Sequence, residues 1–212
     1  MDELARLKGI MMLNVACVNV GPAYEDKYVN VLYNMVTEYL DVPFKFYCIS
    51  DRKRKVHSDI SMKDSEPGLP SYWNKITLFK RGYFTGPTLY LDLDIIIKGS
   101  LSFVHKFINE DFVAIRGFSG RLTYNSSVML WAPEKCYDIY DWFAPRCIKQ
   151  FPTDQEFITA VKGLHSCFPK NKIVSYKYNK PLVENASIVA FHGKPKPTEL
   201  DIPMVNRWWR TK

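Results

Sequence analysis

Thr88-Leu89-Tyr90-Leu91-Asp92-Leu93-Asp94-Ile95-Ile96-Ile97 is the most strand-like stretch of the chain. Its apolar and β-branched residues predict one central strand, interrupted by two carboxylates two positions apart. In a strand, residues i and i+2 project to the same side. Asp92 and Asp94 would then stand side by side, two like charges that repel and resist burial. A divalent cation is the simplest compensation. Carboxylate oxygens suit Mg²⁺ or Mn²⁺, ions that also hold substrate phosphates.

Working outward, Leu13 to Val20 reads as a buried first strand ended by Gly21-Pro22. Glu25 to Leu40 reads as a helix, because Tyr28, Leu32, Met35/Val36 and Tyr39 recur with the period of one helix face. Phe44 to Ile49 is a second strand, followed by a basic loop and a loop from Asp64 to Pro70. Tyr72 to Phe79 is a short helix. Phe112 to Ile115 and Ser127 to Trp131 are further strands, and Pro133 opens a helix at a favoured first-turn position. Thr153-Asp154-Gln155-Glu156 has capping-box spacing and opens a helix through about Val161. Ile173 to Tyr178 and Ile188 to Phe191 are late strands. Strands alternating with helices predict a layered α/β fold with a mostly parallel sheet. In such sheets ligands bind beyond the carboxyl ends of strands.

The 212 residues are 47% hydrophobic, enough to bury a sizeable core in one domain. No repeat, low-complexity tract or linker divides them. The apolar run from Gly9 to Val18 is preceded by Asp2 and Glu3 and followed by no small-residue cleavage site, so it reads as a strand and not as a signal. The cysteines, Cys17, Cys48, Cys136, Cys147 and Cys167, are odd in number and lack a C-x-x-C pair. That predicts reduced thiols and a soluble protein of the cytoplasm. The sequons at Asn125 and Asn185 then read as chance matches. The net charge of +7 suits anionic partners such as nucleotides or nucleic acid. The basic clusters Arg52-Lys53-Arg54-Lys55 and Arg207, Arg210, Lys212 read most simply as solvated charge.

A D-x-D alone reads more simply as a strand-end turn with solvated carboxylates. Three later features shift that balance. Asn125-Ser126-Ser127 precedes an apolar run, Asp154-Gln155 sits in the first turn of a capped helix, and His192-Gly193-Lys194-Pro195-Lys196-Pro197 follows the last strand. Each has a plain alternative: a turn asparagine, first-turn acids that suit the helix dipole, a satisfied strand-end histidine.

Together, in this order, the four features resemble the metal-dependent sugar-nucleotide transferases of the GT-A fold. The likeness is to the glycogenin and lipopolysaccharide galactosyltransferase type and to short bacterial and phage-like relatives. Tyr72-Trp73-Asn74-Lys75-Ile76 and Gly86-Pro87-Thr88 through Asp94 look like those short relatives, and the likeness runs from about Leu13 to Pro197. It implies one GT-A-type domain over residues 1–212, with a Rossmann-like nucleotide-sugar half over about 13–97. An acceptor and catalytic half would cover about 98–197, and a tail 198–212. It implies Mn²⁺ or Mg²⁺ held by Asp92, Asp94 and His192. It implies a nucleoside-diphosphate sugar, a UDP-sugar foremost, bound by Asn19, Tyr24, Lys75, Asp92, Asn125, Ser127 and Lys194. Tyr24 would offer a ring face to the base and Lys194 a cation to the phosphates. Asp154 and Gln155 would orient the donor sugar or the acceptor at the anomeric carbon. The hexose or pentose would pass, with retention, to a hydroxyl of a glycan or other acceptor.

Two departures stand out. Ser127 places a side chain where the family has glycine, and the family's His-x-x-Gly-x-x-Lys-Pro-Trp is shortened to His192-Gly193-Lys194-Pro195. The alternatives are a D-x-D phosphohydrolase or phosphotransferase, a non-catalytic nucleotide-sugar-binding module, and the same transfer onto a hydroxymethylated base in DNA. Trp208, Trp209, Tyr176 and Tyr178 would offer stacking surfaces for that last acceptor.

Overall fold

The computed structural model describes residues 12–118, 120 and 122–209. Residues 9–11 of the early apolar run, and Arg210 and Lys212 of the basic tail, lie outside them. The strands are β1 (Leu13–Asn19), β2 (Phe44–Ser50), β3 (Ile60–Asp64), β4 (Thr88–Leu91), β5 (Ile95–Ile97), β6 (Phe112–Arg116), β7 (Tyr124–Trp131), β8 (Ser166–Cys167), β9 (Ile173–Ser175) and β10 (Ile188–Ala190). The α-helices are α1 (Asp26–Tyr39), α2 (Tyr137–Asp141), α3 (Cys147–Gln150), α4 (Asp154–Lys162) and α5 (Pro203–Trp208), and a 3₁₀ helix spans Ser71–Phe79.

Seven strands form one sheet in the order β3-β2-β1-β4-β7-β6-β8. β3, β2, β1 and β4 run parallel; β7 is antiparallel to both β4 and β6, and β8 returns parallel to β6. The predicted mixed, mostly parallel α/β sheet is present. Alternation within the strands builds two cores. Leu13, Val15 and Cys17 of β1, with Leu89 and Leu91 of β4, meet Val29, Leu32, Met35 and Val36 of α1 on one face. Ala16 and Tyr90 face the other way, toward Trp73, Ile76, Phe79 and Trp131. Leu32 and Met35 are fully buried, so truncating either to alanine should cost roughly 2–5 kcal/mol.

The central stretch is not one strand. β4 ends at Leu91, residues 92–94 turn, and β5 begins at Ile95 in a second sheet of order β5-β10-β9. Asp92 and Asp94 are therefore not neighbours on one strand side. They flank the turn that carries the chain between the sheets. This turn explains how distant residues meet it. β10 pairs antiparallel with β5, with Ala190 opposite Ile95. Continuing that register sets Phe191 opposite Asp94, and the Phe191 N–H donates to the Asp94 carbonyl at 2.9 Å. His192 follows at once.

β7 starts earlier than its apolar run predicts and takes in Asn125-Ser126-Ser127. Its pairing with β6 slips between Ala114 and Ile115: Met129 faces Ala114, but Asn125 faces Ile115. The extra residues bulge, and bulges re-aim side chains near sites. Asn125 Oδ1 accepts the Ser127 N–H at 3.0 Å, and the Ser127 carbonyl accepts the Asp92 N–H at 2.8 Å. The strands β3 and β8 were not evident from the sequence pattern.

Candidate functional site

A cavity of about 430 Å³ opens beyond the carboxyl ends of β1 and β4. This is where the strand order reverses, between β2-β3 on one side of β1 and β4 on the other. Its walls bring together Tyr24, Lys75, Asp92, Asp94, Asn125, Ser127, Asp154, Gln155 and His192, nine of the residues singled out above. Two others are placed elsewhere. Asn19 shares the parity of Leu13, Val15 and Cys17, so its side chain turns to the α1 face, fully buried, while Val18 and Val20 line the cavity. Lys194 projects outward with its side chain 86% exposed, nearest to Glu199 at 3.7 Å. Lys196, two residues on, reaches the cavity instead.

Asp92 and Lys75 form the buried centre. Lys75 comes from the 3₁₀ helix, whose Trp73, Ile76 and Phe79 anchor it in the core. Its ammonium lies 2.8 Å from Asp92 Oδ1 and donates to Ser126 Oγ at 3.0 Å and the Ser126 carbonyl at 3.2 Å. Tyr90 donates its hydroxyl to Asp92 at 2.5 Å. Burial pushes the Asp92 carboxyl up, but the Lys75 charge and hydrogen bonds outweigh it and hold the group below the usual carboxylate range. Burial likewise works against the Lys75 charge, and Asp92 and Asp154 reverse that effect.

Asp94 sits in a different balance. Burial and the nearby Asp92 charge raise its pKa, and Lys196 and Tyr24 offset this only in part. Lys196 Nζ is in direct contact with Asp94 Oδ2 and donates to the Tyr24 hydroxyl at 2.6 Å. Tyr24 in turn donates to Asp94 Oδ2 at 3.0 Å. The same ammonium lies 4.8 Å from the Tyr24 ring centroid, out at the hydroxyl end of the ring.

Asp154 opens α4. Thr153 caps the helix by accepting the Gln155 N–H at 3.2 Å, and its hydroxyl is bonded to Glu156. Asp154 is 2% exposed, lines the cavity, and its Oδ2 has no hydrogen-bond partner; Lys75 Nζ, at 3.9 Å, is too distant for one. Burial raises its pKa. His192 is stacked between Phe118 and Tyr178, with ring centroids at 5.4 and 5.6 Å. Its Nε2 lies 2.8 Å from Ser175 Oγ. That oxygen already accepts the Lys177 and Tyr178 N–H groups, which leaves its hydrogen to donate to Nε2. Burial and the Lys177 charge lower the His192 pKa, consistent with a neutral ring. Asn125, Gln155 and His192 also line a neighbouring cavity of about 300 Å³.

The fit to a divalent cation is one of chemistry. Three carboxylates and two ammonium groups face the cavity, an excess of negative charge built from hard oxygen donors. Among the described residues, however, no three His, Cys, Asp or Glu side chains are gathered as ready ligands. Lys196 occupies Asp94 and Ser175 occupies His192 Nε2.

Elsewhere, Arg54 of the first basic cluster is not solvated: its side chain is 2% exposed and paired with Asp26 and Asp51. Of the aromatics considered as base-stacking surfaces, Trp209 is buried against Tyr28 and Tyr176 is stacked on Phe191. Trp208 is flanked by Arg207 and Lys98. No helix among the described residues is long and apolar enough to cross a membrane.

No protein-family model matches the sequence, and no curated protein sequence does. Solved structures do match. The galactosyltransferase LgtC, solved with donor and acceptor sugar analogs, superposes with a TM-score of 0.66 at 16% identity, over 92% of this chain and 93% of that one. The glycosyltransferase GlyE of Streptococcus pneumoniae TIGR4 gives 0.68 at 14% identity, over 92% of this chain and 59% of GlyE. The bifunctional WbbM, in its apo structure, gives 0.65 at 9% identity, over 90% and 48%. The fold is the GT-A type of these glycosyltransferases.

Proposed function

We propose that the protein is a glycosyltransferase that moves a hexose or pentose from a nucleoside-diphosphate sugar, foremost a UDP-sugar, to a hydroxyl acceptor. One observation carries this reading. Five separate segments, from the 3₁₀ helix to the turn after β10, deliver lysines, carboxylates and amide groups to one cavity at the sheet's switch point, in the fold of the glycosyltransferases on which the chain superposes. That crevice is where open α/β sheets take nucleotides.

Val18, Val20, Ala23 and Tyr24 would form the base and ribose end. Asp92, Asp94 and, after release from Ser175, His192 would hold Mn²⁺ or Mg²⁺. Such an ion neutralises charge developing on the leaving diphosphate. Lys196 takes the phosphate-side role that the sequence suggested for Lys194. Lys75 holds Asp92 and the Ser126 bulge in place. The Asn125 carbonyl is committed to that bulge, so its NH₂ is the group left to meet a sugar or phosphate oxygen. Ser127 narrows the sugar end. Asp154 and Gln155 accept and donate hydrogen bonds to sugar hydroxyls. With its pKa raised and Lys75 alongside, Asp154 is poorly disposed as a nucleophile. The retention that the resemblance implies would then proceed by attack on the donor's own face, with the leaving phosphate taking the acceptor's proton. The neighbouring cavity behind Gln155 and His192 would admit a glycan acceptor.

The test is a panel of UDP-, GDP- and other nucleotide sugars with Mn²⁺, scored for hydrolysis and thermal stabilisation. At least one donor should be turned over, and EDTA or Asp94→Asn should abolish turnover. A panel without binding or hydrolysis would sink the reading.

A further inference from the structure

Lys75 and Lys196 both neutralise the D-x-D carboxylates, but they are held differently. Lys75 is 9% exposed at its side chain and fixed by Asp92, the Ser126 carbonyl and the Ser126 hydroxyl. Lys196 is 25% exposed at its side chain, and its ammonium is held by Asp94 and the Tyr24 hydroxyl, which themselves share one hydrogen bond. Its ammonium lies directly on Asp94 Oδ2, one of the two oxygens with which this carboxylate would hold a cation. A second observation points to a ligand here: Asp154 Oδ2 is buried in the cavity wall without a hydrogen-bond partner.

We propose that Lys196 is the stand-in for the metal: it and a divalent cation compete for Asp94, and arrival of the ion frees Lys196 for the donor's phosphates. The inference rests on the divalent-cation reading above. Its physical basis is charge. Asp92, Asp94 and Asp154 face Lys75 and Lys196, which leaves one negative charge in excess, to which a diphosphate would add more. Admitting the diphosphate requires added positive charge. An ion on Asp94 supplies two charges and at the same time turns the Lys196 ammonium from a carboxylate partner into a phosphate partner. Metal and nucleotide should then each raise the other's affinity, and by linkage the two effects are equal.

The test uses Mn²⁺ alone, followed by electron paramagnetic resonance, and UDP followed by calorimetry with and without Mn²⁺. Lys196→Met should bind Mn²⁺ roughly tenfold more tightly than the wild type without nucleotide, since the competitor is gone. It should also bind UDP at saturating Mn²⁺ several-fold more weakly, so that the mutual enhancement shrinks. Lys196→Arg, which keeps a cation on Asp94, should leave Mn²⁺ affinity low. Lys194→Met, which removes one charge from an exposed position, should change neither. Equal Mn²⁺ affinity in wild type and Lys196→Met would overturn the competition while leaving the cation reading intact. No Mn²⁺ binding in either protein would overturn the cation reading, and this inference with it.

Discussion

At the scale of single residues, the three cavity carboxylates are not equivalent, and stability measurements should separate them. Asp92 is held below the usual carboxylate range, because Lys75 and Tyr90 favour its charged form more than burial disfavours it. A depressed carboxylate contributes stability that is present above its unfolded pKa and lost as pH falls through its folded one. Asp154 is raised, so its charge costs folding free energy at neutral pH. Asp92→Asn should therefore destabilise by about 3 kcal/mol, because it removes the negative charge that faces the buried Lys75 ammonium at 2.8 Å. That is roughly a 10 °C fall in Tm for a chain of this size. Asp154→Asn at pH 7 should leave Tm within a few degrees of wild type or raise it. Calorimetry reporting equal losses for both would contradict this assignment. The carboxylate pair was legible in the sequence because acids in an apolar run need an explanation. Lys196 was not: Lys194 stands closer to His192 in sequence, and only the path of the turn after β10 decides which lysine faces inward. The misplacement of Asn19 was legible, since it continues the parity of Leu13, Val15 and Cys17 toward α1.

At the scale of elements, the order of strands and helices followed from apolar periodicity, but the breaks that make the site did not. A ten-residue β-rich run reads as one strand, whereas the turn at residues 92–94 splits it between two sheets. Ile60–Asp64 was missed because an edge strand with mostly exposed residues carries little apolar pattern. The loop between β1 and α1 depends on a residue that looked like surface charge. Arg54 donates from Nη2 to the Asn19 carbonyl at 2.7 Å and the Gly21 carbonyl at 3.0 Å, and from Nε to Ser50 Oγ at 2.9 Å. Its Nη1 faces Asp26 at 3.3 Å. One planar fork thus ties the ends of β1 and β2 to the start of α1, and it sets the course of the loop that presents Ala23 and Tyr24. Arg54→Met should cost about 1–3 kcal/mol by removing the hydrogen bonds of a buried guanidinium to the Asn19 and Gly21 carbonyls and its pairing with Asp26 and Asp51. It should raise the KM for the donor more than it lowers kcat, because the loop and not the reacting end is loosened. Arg54→Lys should rescue little, since one ammonium cannot span these acceptors. Recovery of both KM and Tm by lysine would refute the bracing role.

At the scale of the whole molecule, the cavity is a seam. Its β1, β4 and β7 walls belong to the seven-stranded sheet, while His192 and Lys196 follow β10 of the three-stranded sheet. The turn at residues 92–94 and the Phe191 to Asp94 hydrogen bond join the two at this point. A ligand that contacts both walls should therefore tie the sheets together as well as fill the site. A nucleotide bound only to the folded state at 100 times its Kd adds about 2.7 kcal/mol. At roughly 2–4 °C per kcal/mol this is a Tm increase of about 5–10 °C with UDP and Mn²⁺ together. The increase should be largely lost in Asp94→Asn, which keeps the fold but removes the carboxylate at the seam. The location of the effect is the sharper check. Hydrogen exchange should slow in β5, β9 and β10 as well as at the ends of β1 and β4. Protection confined to the larger sheet would mean that the ligand engages only that wall, and that His192 and Lys196 do not reach it.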